Sequence, residues 1–206
     1  MKIIALCSVD ESVLRSTLEL GEKDTIDVDT VTSEFGWLND SGIVLDACHE
    51  TKKVEEVIKS GNYDAVVHCA AWTAVDKAED EIEACTKVNV DGTKNIANVC
   101  KKLNISMMYF STDYVFDGQG NQPWHEYDKR NPLNVYGQTK YEGELAVEAL
   151  EKHFIVRIAW VFGVNGNNFI KTMLRLGKER GAVSVVDDQI GSPTYTYDLS
   201  KFVVDM

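Results

Sequence analysis

The sequence predicts an α/β protein built on a doubly wound parallel sheet. Short apolar runs rich in β-branched or aromatic residues alternate along the chain with stretches whose apolar positions recur every three and four residues. The short runs are apolar throughout, as expected of strands covered by helices on both faces. A strand–helix–strand order of this kind makes βαβ units and a parallel sheet. Right-handed crossovers then place a ligand cleft at the carboxyl ends of the strands.

Six runs supply the expected strands: Lys2–Leu6, Thr25–Val31, Ala65–Cys69, Ser106–Ser111, Phe154–Ala159 and Val183–Val186. Between them, Thr51–Ser60, Ala84–Leu103 and Tyr136–Lys152 carry the helical spacing. Within the second of these, Asn89 and Gly92 are locally unfavourable for a helix, which assigns them a packing or hydrogen-bonding purpose. Asn89 is expected to tie its helix to the strand that carries Thr112. Asp117–Pro132, with two of the chain's prolines, is the one extended loop and is expected to fold over the cleft. There is no internal repeat and no low-complexity linker.

Composition narrows the class. At 206 residues, 44% hydrophobic and 26% charged, the chain suits a globular protein with ample core. A net charge of -12 argues against binding nucleic-acid phosphates, though not against a nucleotide ligand. No apolar run approaches the ~18 residues of a membrane span. Cys7, Cys48, Cys69, Cys85 and Cys100 show no Cys-x-x-Cys spacing and are expected to be reduced thiols in a cytoplasm. His68, alone within a strand, is expected to be a core residue, and no cluster has metal-ligand spacing.

The chemistry concentrates between Ser111 and Lys140. Tyr136 and Lys140 stand four residues apart, so on a helix they share a face. A phenol with a pKa near ~10 transfers protons poorly at neutral pH unless a nearby cation stabilises its anion, and the Lys140 ammonium can sit beneath it. Thr112, at a strand end, completes a Thr/Tyr/Lys constellation suited to protonating a carbonyl oxygen. Pro132 disfavours helix at Asn131, so the helix should start close to Tyr136 and leave the phenol at the cleft mouth. The small residues Ala70 and Ala71, followed by Thr73, let a flat ligand approach the backbone after the third strand.

These segments resemble one family. Ala70–Glu79, Ser111–Gly118, Asn131–Lys140, Asn167–Phe169 and Val186–Thr194 are similar to the dTDP-4-dehydrorhamnose reductases, which are extended short-chain dehydrogenase/reductases. The resemblance runs from about Leu45 to Leu199, and the paired strings STDYVFDG and DDQIGSPT are far more specific than Tyr-x-x-x-Lys. It implies a Rossmann-like dinucleotide-binding domain over 1–160 and a partial substrate-binding region over 161–206. It also implies hydride transfer from NADPH or NADH to the C4 ketone of a dTDP-linked 6-deoxy sugar, in nucleotide-sugar and cell-surface polysaccharide biosynthesis. By the same resemblance Tyr136 is the proton donor, Thr112 polarises the carbonyl, and Lys140 tunes the phenol and anchors the ribose. Asp46, Ala70, Ala71, Thr73 and Ser111 join Tyr136 and Lys140 at the cofactor, while Asp113, Trp160, Asn168 and Lys171 face the sugar nucleotide. The partner implied is a small-molecule nucleotide sugar, with no nucleic acid or membrane, and a homodimer is compatible with the family.

Two features depart from the family. A glycine-rich turn should follow the first strand and cradle the pyrophosphate at a helix N-terminus. Here Cys7–Val13 contains no glycine and brings Asp10 and Glu11 toward the phosphates. At about 5 Å and an effective dielectric near 20, each such charge pair costs about 3 kcal/mol before screening. Val31–Asn39 is a second candidate that retains only Gly36, and spacing favours the first. An acid at Asp27 or Asp29 after the second strand would favour NADH. The substrate-binding portion is expected to be incomplete, since the chain stops at Met206 inside a region where the family continues. The alternative is a cofactor-impaired, reductase-like binding or regulatory subunit. Epimerases and dehydratases share the dyad, but the dehydratases commonly place an acidic pair after the strand-end Thr, where Tyr114 follows Asp113 here.

Overall fold

A computed structural model describes residues 2–7, 27–32, 47–164 and 166–206. Both candidate glycine turns and Asp46 lie outside the described residues, apart from Cys7, Val31 and Thr32. Five strands form one sheet in the order β2-β1-β3-β4-β5. They are β1 (Lys2–Cys7), β2 (Asp27–Thr32), β3 (Ala65–His68), β4 (Ser106–Thr112) and β5 (His153–Ile158). β1 pairs in parallel with β2 on one side and with β3 on the other, and β3 pairs in parallel with β4. The chain therefore changes direction of winding at β1, and the β1/β3 crevice is the switch point where α/β sheets bind ligands. The turn there is tight, because Cys69 N and Ala70 N both donate to the Leu6 carbonyl, at 2.8 and 2.9 Å.

Helices cover the sheet: α1 (Thr51–Ser60), α2 (Val75–Asp80), α3 (Ile82–Thr86), α4 (Thr93–Leu103) and α5 (Val135–Glu148). Ile4 and Leu6 of β1, Val66 of β3, and Met107 and Tyr109 of β4 pack against Val54 and Ile58 of α1, Ile96, Val99 and Cys100 of α4, and Val147 of α5. Full burial of each large aliphatic side chain contributes about 1.5–3 kcal/mol. His68 joins this core: it is 2% exposed, its Nε2 is 3.0 Å from Thr93 Oγ1, and its ring stacks on Tyr109. Cys85 and Cys100 are also buried.

The stretch expected as one helix over Ala84–Leu103 is interrupted by a π-helical turn over Lys87–Gly92 between α3 and α4. This is where Asn89 and Gly92 broke the helical preference, and such turns recur at functional sites. The expected tie from Asn89 to the Thr112 strand is corrected. Asn89 Oδ1 instead accepts from Trp72 N at 2.8 Å, and its Nδ2 donates to Trp72 O at 3.2 Å and to Thr139 Oγ1 at 3.0 Å. The wound-out turn aims the amide at the loop after β3 and at α5, so it ties one to the other.

Residues from Ile158 onward make a second compact unit. In it β6 (Val161–Phe162) pairs in parallel with β7 (Thr194–Tyr195), and α6 (Phe169–Arg180) and α7 (Thr196–Asp205) are its helices. Val183–Val186, expected as a strand, has no regular structure. Val183, Val185 and Val186 are 43%, 49% and 67% exposed. Apolar content without a neighbouring strand to take the backbone hydrogen bonds does not make a strand.

Gly137 and Gly143 of α5 mark where that helix comes closest to the rest of the sheet unit. A Cβ at Gly137 would collide with the Tyr114 carbonyl, and one at Gly143 would collide with the Tyr109 hydroxyl. Gly137→Ala is accordingly expected to destabilise the fold by about 1–3 kcal/mol despite the better helix propensity of alanine, read from urea unfolding midpoints.

Candidate active site

Three features place α5. Asn134 has extended backbone and caps the helix, its Oδ1 accepting from Gly137 N at 2.7 Å. Glu79 of α2 reaches the same end, its Oε1 accepting from Val135 N at 2.8 Å. Pro132 keeps the preceding chain extended. The helix thus begins one residue before Tyr136, and the phenol stands in its first turn. Two turns of α5 then bring Lys140 and Glu144 onto the same face.

This face meets the end of β4. Thr112, the last residue of the strand, donates to Asp113 Oδ1 at 3.1 Å and accepts from Tyr114 N at 3.2 Å, capping a single 3₁₀ turn over Asp113–Val115. Tyr136 lies beside it. Burial pushes the phenol up to about 12, the hydrogen bond with Thr112 opposes that, and the Asp113 charge adds to it. Burial also raises the Asp113 carboxyl against its hydrogen bond from Thr112. At neutral pH the phenol is therefore protonated, a donor rather than a base. Tyr114 packs edge-on against the Tyr136 ring at 5.6 Å.

Lys140 is 2% exposed. Its Nζ donates to the Phe110 carbonyl at 2.6 Å and lies 4.0 Å from the centre of the Tyr109 ring. Burial pulls the ammonium down to about 7, with Glu144, Cys69 and Cys85 pulling it back up. One of its three N–H groups is used by Phe110, which leaves donors for an acceptor arriving in the crevice. Ser111, between Phe110 and Thr112, is buried.

Glu144, Arg130 and Arg157 form a cluster that sequence reasoning missed. The Glu144 side chain is fully buried and accepts Arg157 Nε and Nη2, both at 2.8 Å, and Arg130 Nη1 at 2.8 Å. Arg130 also pairs with Glu148, and its guanidinium lies 4.7 Å from the Tyr141 ring centre. Arg157 donates to Glu126 O at 3.1 Å and stands over the Phe116 ring, which stacks on Trp124. The loop Asp117–Pro132 is thereby held against α5 and β5. The partners lie 13 and 14 residues from Glu144. The one available sequence signal was the 136/140/144 stripe, with a glutamate where an apolar residue would be expected.

The remaining predicted residues divide by unit. In the sheet unit, Ala70 and Ala71 are half-buried beyond β3 and Thr73 is exposed. In the second unit, Asn168 caps α6 by accepting from Lys171 N at 3.0 Å and donates to Gly163 O at 3.0 Å. Lys171 Nζ donates to Val164 O at 2.6 Å and Gly166 O at 2.8 Å. Both thus organise the turn before α6. Trp160, 46% exposed, has a left-handed backbone with φ of 47°. A non-glycine residue held there costs on the order of 1–3 kcal/mol. Its carbonyl accepts from Thr194 N, and its indole lies so close to Gly191 that a Cβ there would sit 3.0 Å from the ring.

A family model described as the RmlD substrate binding domain matches residues 31–206. The dTDP-4-dehydrorhamnose reductase of Escherichia coli (strain K12) is 48% identical over 142 residues, 68% of this chain and 48% of the relative. The chain thus spans about half the length of the curated relatives it matches. The crystal structure of a dTDP-4-dehydrorhamnose reductase from Clostridium acetobutylicum has a TM-score of 0.89 at 36% identity, covering 100% of this chain and 69% of that one. That of the Bacillus anthracis dTDP-4-dehydrorhamnose reductase, in complex with NADP, has a TM-score of 0.88 at 36% identity, covering 99% and 69%.

Burial raises the Glu144 carboxyl, but the hydrogen bonds and charge of Arg157 and Arg130 outweigh it and leave the group below its ordinary value. Its contribution to stability is therefore complete above the unfolded value near ~4.3 and is lost as pH falls through the lower folded value. Calorimetric Tm between pH 7 and 3 is expected to drop on the acid side in the wild type. Glu144→Gln is expected to flatten that limb from a starting stability about 3–5 kcal/mol lower, because two arginines lose their buried partner.

Proposed function

The chain belongs to the RmlD substrate binding domain family, and from that premise we propose that it reduces the 4-keto group of a dTDP-linked 6-deoxy sugar, dTDP-4-dehydrorhamnose to dTDP-rhamnose. The observation that carries the proposal is Tyr136, Thr112 and the buried Lys140 gathered at the carboxyl end of β4. NADPH or NADH is the implied reductant, and the residues present suit its nicotinamide–ribose end. Ala70 and Ala71 leave room beside the switch point, and Lys140 has spare donors for ribose hydroxyls. The bound nicotinamide supplies the hydride that reaches C4 of the sugar.

The protein's share is the proton. Tyr136, protonated across the neutral range, gives its proton to the ketone oxygen as negative charge develops there. An alkoxide is more basic than a phenolate, so the transfer runs downhill, and solvent restores the phenol. Thr112 turns its O–H from Asp113 to the same oxygen and polarises it. In its charged form Lys140 stabilises the transient phenolate through the field of its ammonium. On this reading the sheet unit holds the cofactor, with Asp46, Thr73 and Ser111 at its edge. By the resemblance Asp113 of the sheet unit is a sugar-nucleotide residue, as are Trp160, Asn168 and Lys171 of the second unit, where Asn168 and Lys171 also shape the turn before α6. The proposal extends to a cytoplasmic setting and a homodimer. Among the described residues no helix is long and apolar enough to cross a membrane.

NADPH and NADH titrated against tryptophan fluorescence are expected to saturate below millimolar concentration, and silence with both defeats the proposal. With ketosugar supplied, NADPH absorbance should decay, and Tyr136→Phe should lower kcat by about 10²–10⁴-fold while leaving the cofactor Kd within about threefold. An unchanged kcat overturns the assignment of the proton donor.

A further inference from the structure

Tyr136, Lys140 and Glu144 follow one another at four-residue intervals along the buried side of α5, and each is met by one of three successive β4 residues. The Thr112 hydroxyl lies beside Tyr136, the Phe110 carbonyl accepts from Lys140, and the buried Ser111 lies beside Glu144 without a hydrogen bond to it. Glu144 differs from the other two in reaching past β4. Its two oxygens take both arms of Arg157 on β5 and one arm of Arg130 at the end of the Asp117–Pro132 loop. A bidentate guanidinium–carboxylate pair is directional, so it fixes both the roll of α5 and its depth against the sheet. We propose that Glu144 is a positioning residue: its carboxylate locks the Tyr136–Lys140 face of α5 in register with the end of β4 and keeps the Lys140 ammonium charged inside the core.

The electrostatic half follows from what surrounds Lys140. From β3 and the residue after it come neutral His68 and Cys69, from α3 Cys85, from β4 Tyr109, and from α5 itself Tyr136 and Glu144. Glu144 is the carboxylate in that set, one helical turn away, and it is the first-named influence holding the ammonium up against its burial. Glu144 in turn faces Arg157 from β5, Arg130 from the loop, and Ser111 and Tyr109 from β4. The two arginines thus withdraw part of the negative field that Lys140 feels. The charge on Lys140 is balanced between burial pulling one way and Glu144 the other, and the arginines paired with Glu144 add to the side of burial. Because the Asp117–Pro132 loop carries Arg130, the placement of that loop is tied to the same balance.

The inference rests on the proposed function only for its consequence, and its test reads Lys140 directly. The cofactor-free protein, labelled with ¹³C at lysine Cε and assigned with Lys140→Arg, is titrated by NMR from pH 5 to 10. The wild-type Lys140 midpoint is expected at about 7. Glu144→Gln is expected to lower it by ~1 pH unit or more, and Arg130→Gln, at the solvent edge of the cluster, to raise it. A purely structural role gives no shifts of opposite sign. Unmoved midpoints in both variants, or shifts in the same direction, overturn the proposal. If Glu144→Gln does not fold by circular dichroism, Arg130→Gln decides alone, a rise supporting the proposal and a constant or falling midpoint overturning it. In the ketosugar assay, activity should fall as pH rises through the Lys140 midpoint, and Glu144→Asp should restore most of the limb that Glu144→Gln moves to lower pH. Opposite shifts in a wild type that reduces no ketosugar would refute the proposed function and leave this inference standing.

Discussion

Two opposite charges share a buried face of one helix, and the sheet unit is arranged around the cost of keeping them there. An ammonium or carboxylate taken out of water pays several kcal/mol, which is recovered only through close partners. Lys140 recovers it from the Phe110 carbonyl, the Tyr109 ring and the nearby Glu144. Glu144 recovers it from two arginines. The partners outside α5 come from β4, β5 and the Asp117–Pro132 loop, so the position of α5 is determined by electrostatics in three directions at once. Tyr136 inherits that position through two turns of helix.

The close packing around α5 serves the same end. Gly137 and Gly143 let the helix approach the Tyr114 carbonyl and the Tyr109 hydroxyl, contacts that any side chain would break. On the opposite flank the π-helical turn over Lys87–Gly92 points Asn89 into the gap between Trp72 and Thr139. That one amide fastens the loop beyond β3 to the helix bearing Tyr136. Local irregularities in two helices thus hold the loop beyond β3 and α5 at a fixed separation.

Much of the architecture could be read from the residues. The five sheet strands and α1 fall where apolar runs and helical spacing put them, within two residues at each end. The π-helical turn announced itself through Asn89 and Gly92, although the partner of Asn89 was not the one expected. Two helices of the second unit went unread despite available signals. Asn168 is a capping residue before Phe169, Ile170, Met173 and Leu174, and Gly181 stops that helix. Thr196–Asp205 carries apolar residues on one side. Val183–Val186 misled in the other direction, since β-branched composition is half of a strand and a neighbour to pair with is the other half.

The sequence by itself determined the order of the five sheet strands, the start of α5 beside Tyr136, and the family, because periodicity, capping and the STDYVFDG and DDQIGSPT strings are local properties of the chain. Tertiary structure alone decided where the charges act. Nothing in the spacing of Arg130, Glu144 and Arg157 reveals that β5 and a loop bring both guanidiniums to one carboxylate. Nothing in Tyr-x-x-x-Lys reveals that burial outweighs every neighbour in setting both the phenol and the ammonium. Desolvation depends on what surrounds a group from all sides, and that is known only once the chain has folded around it.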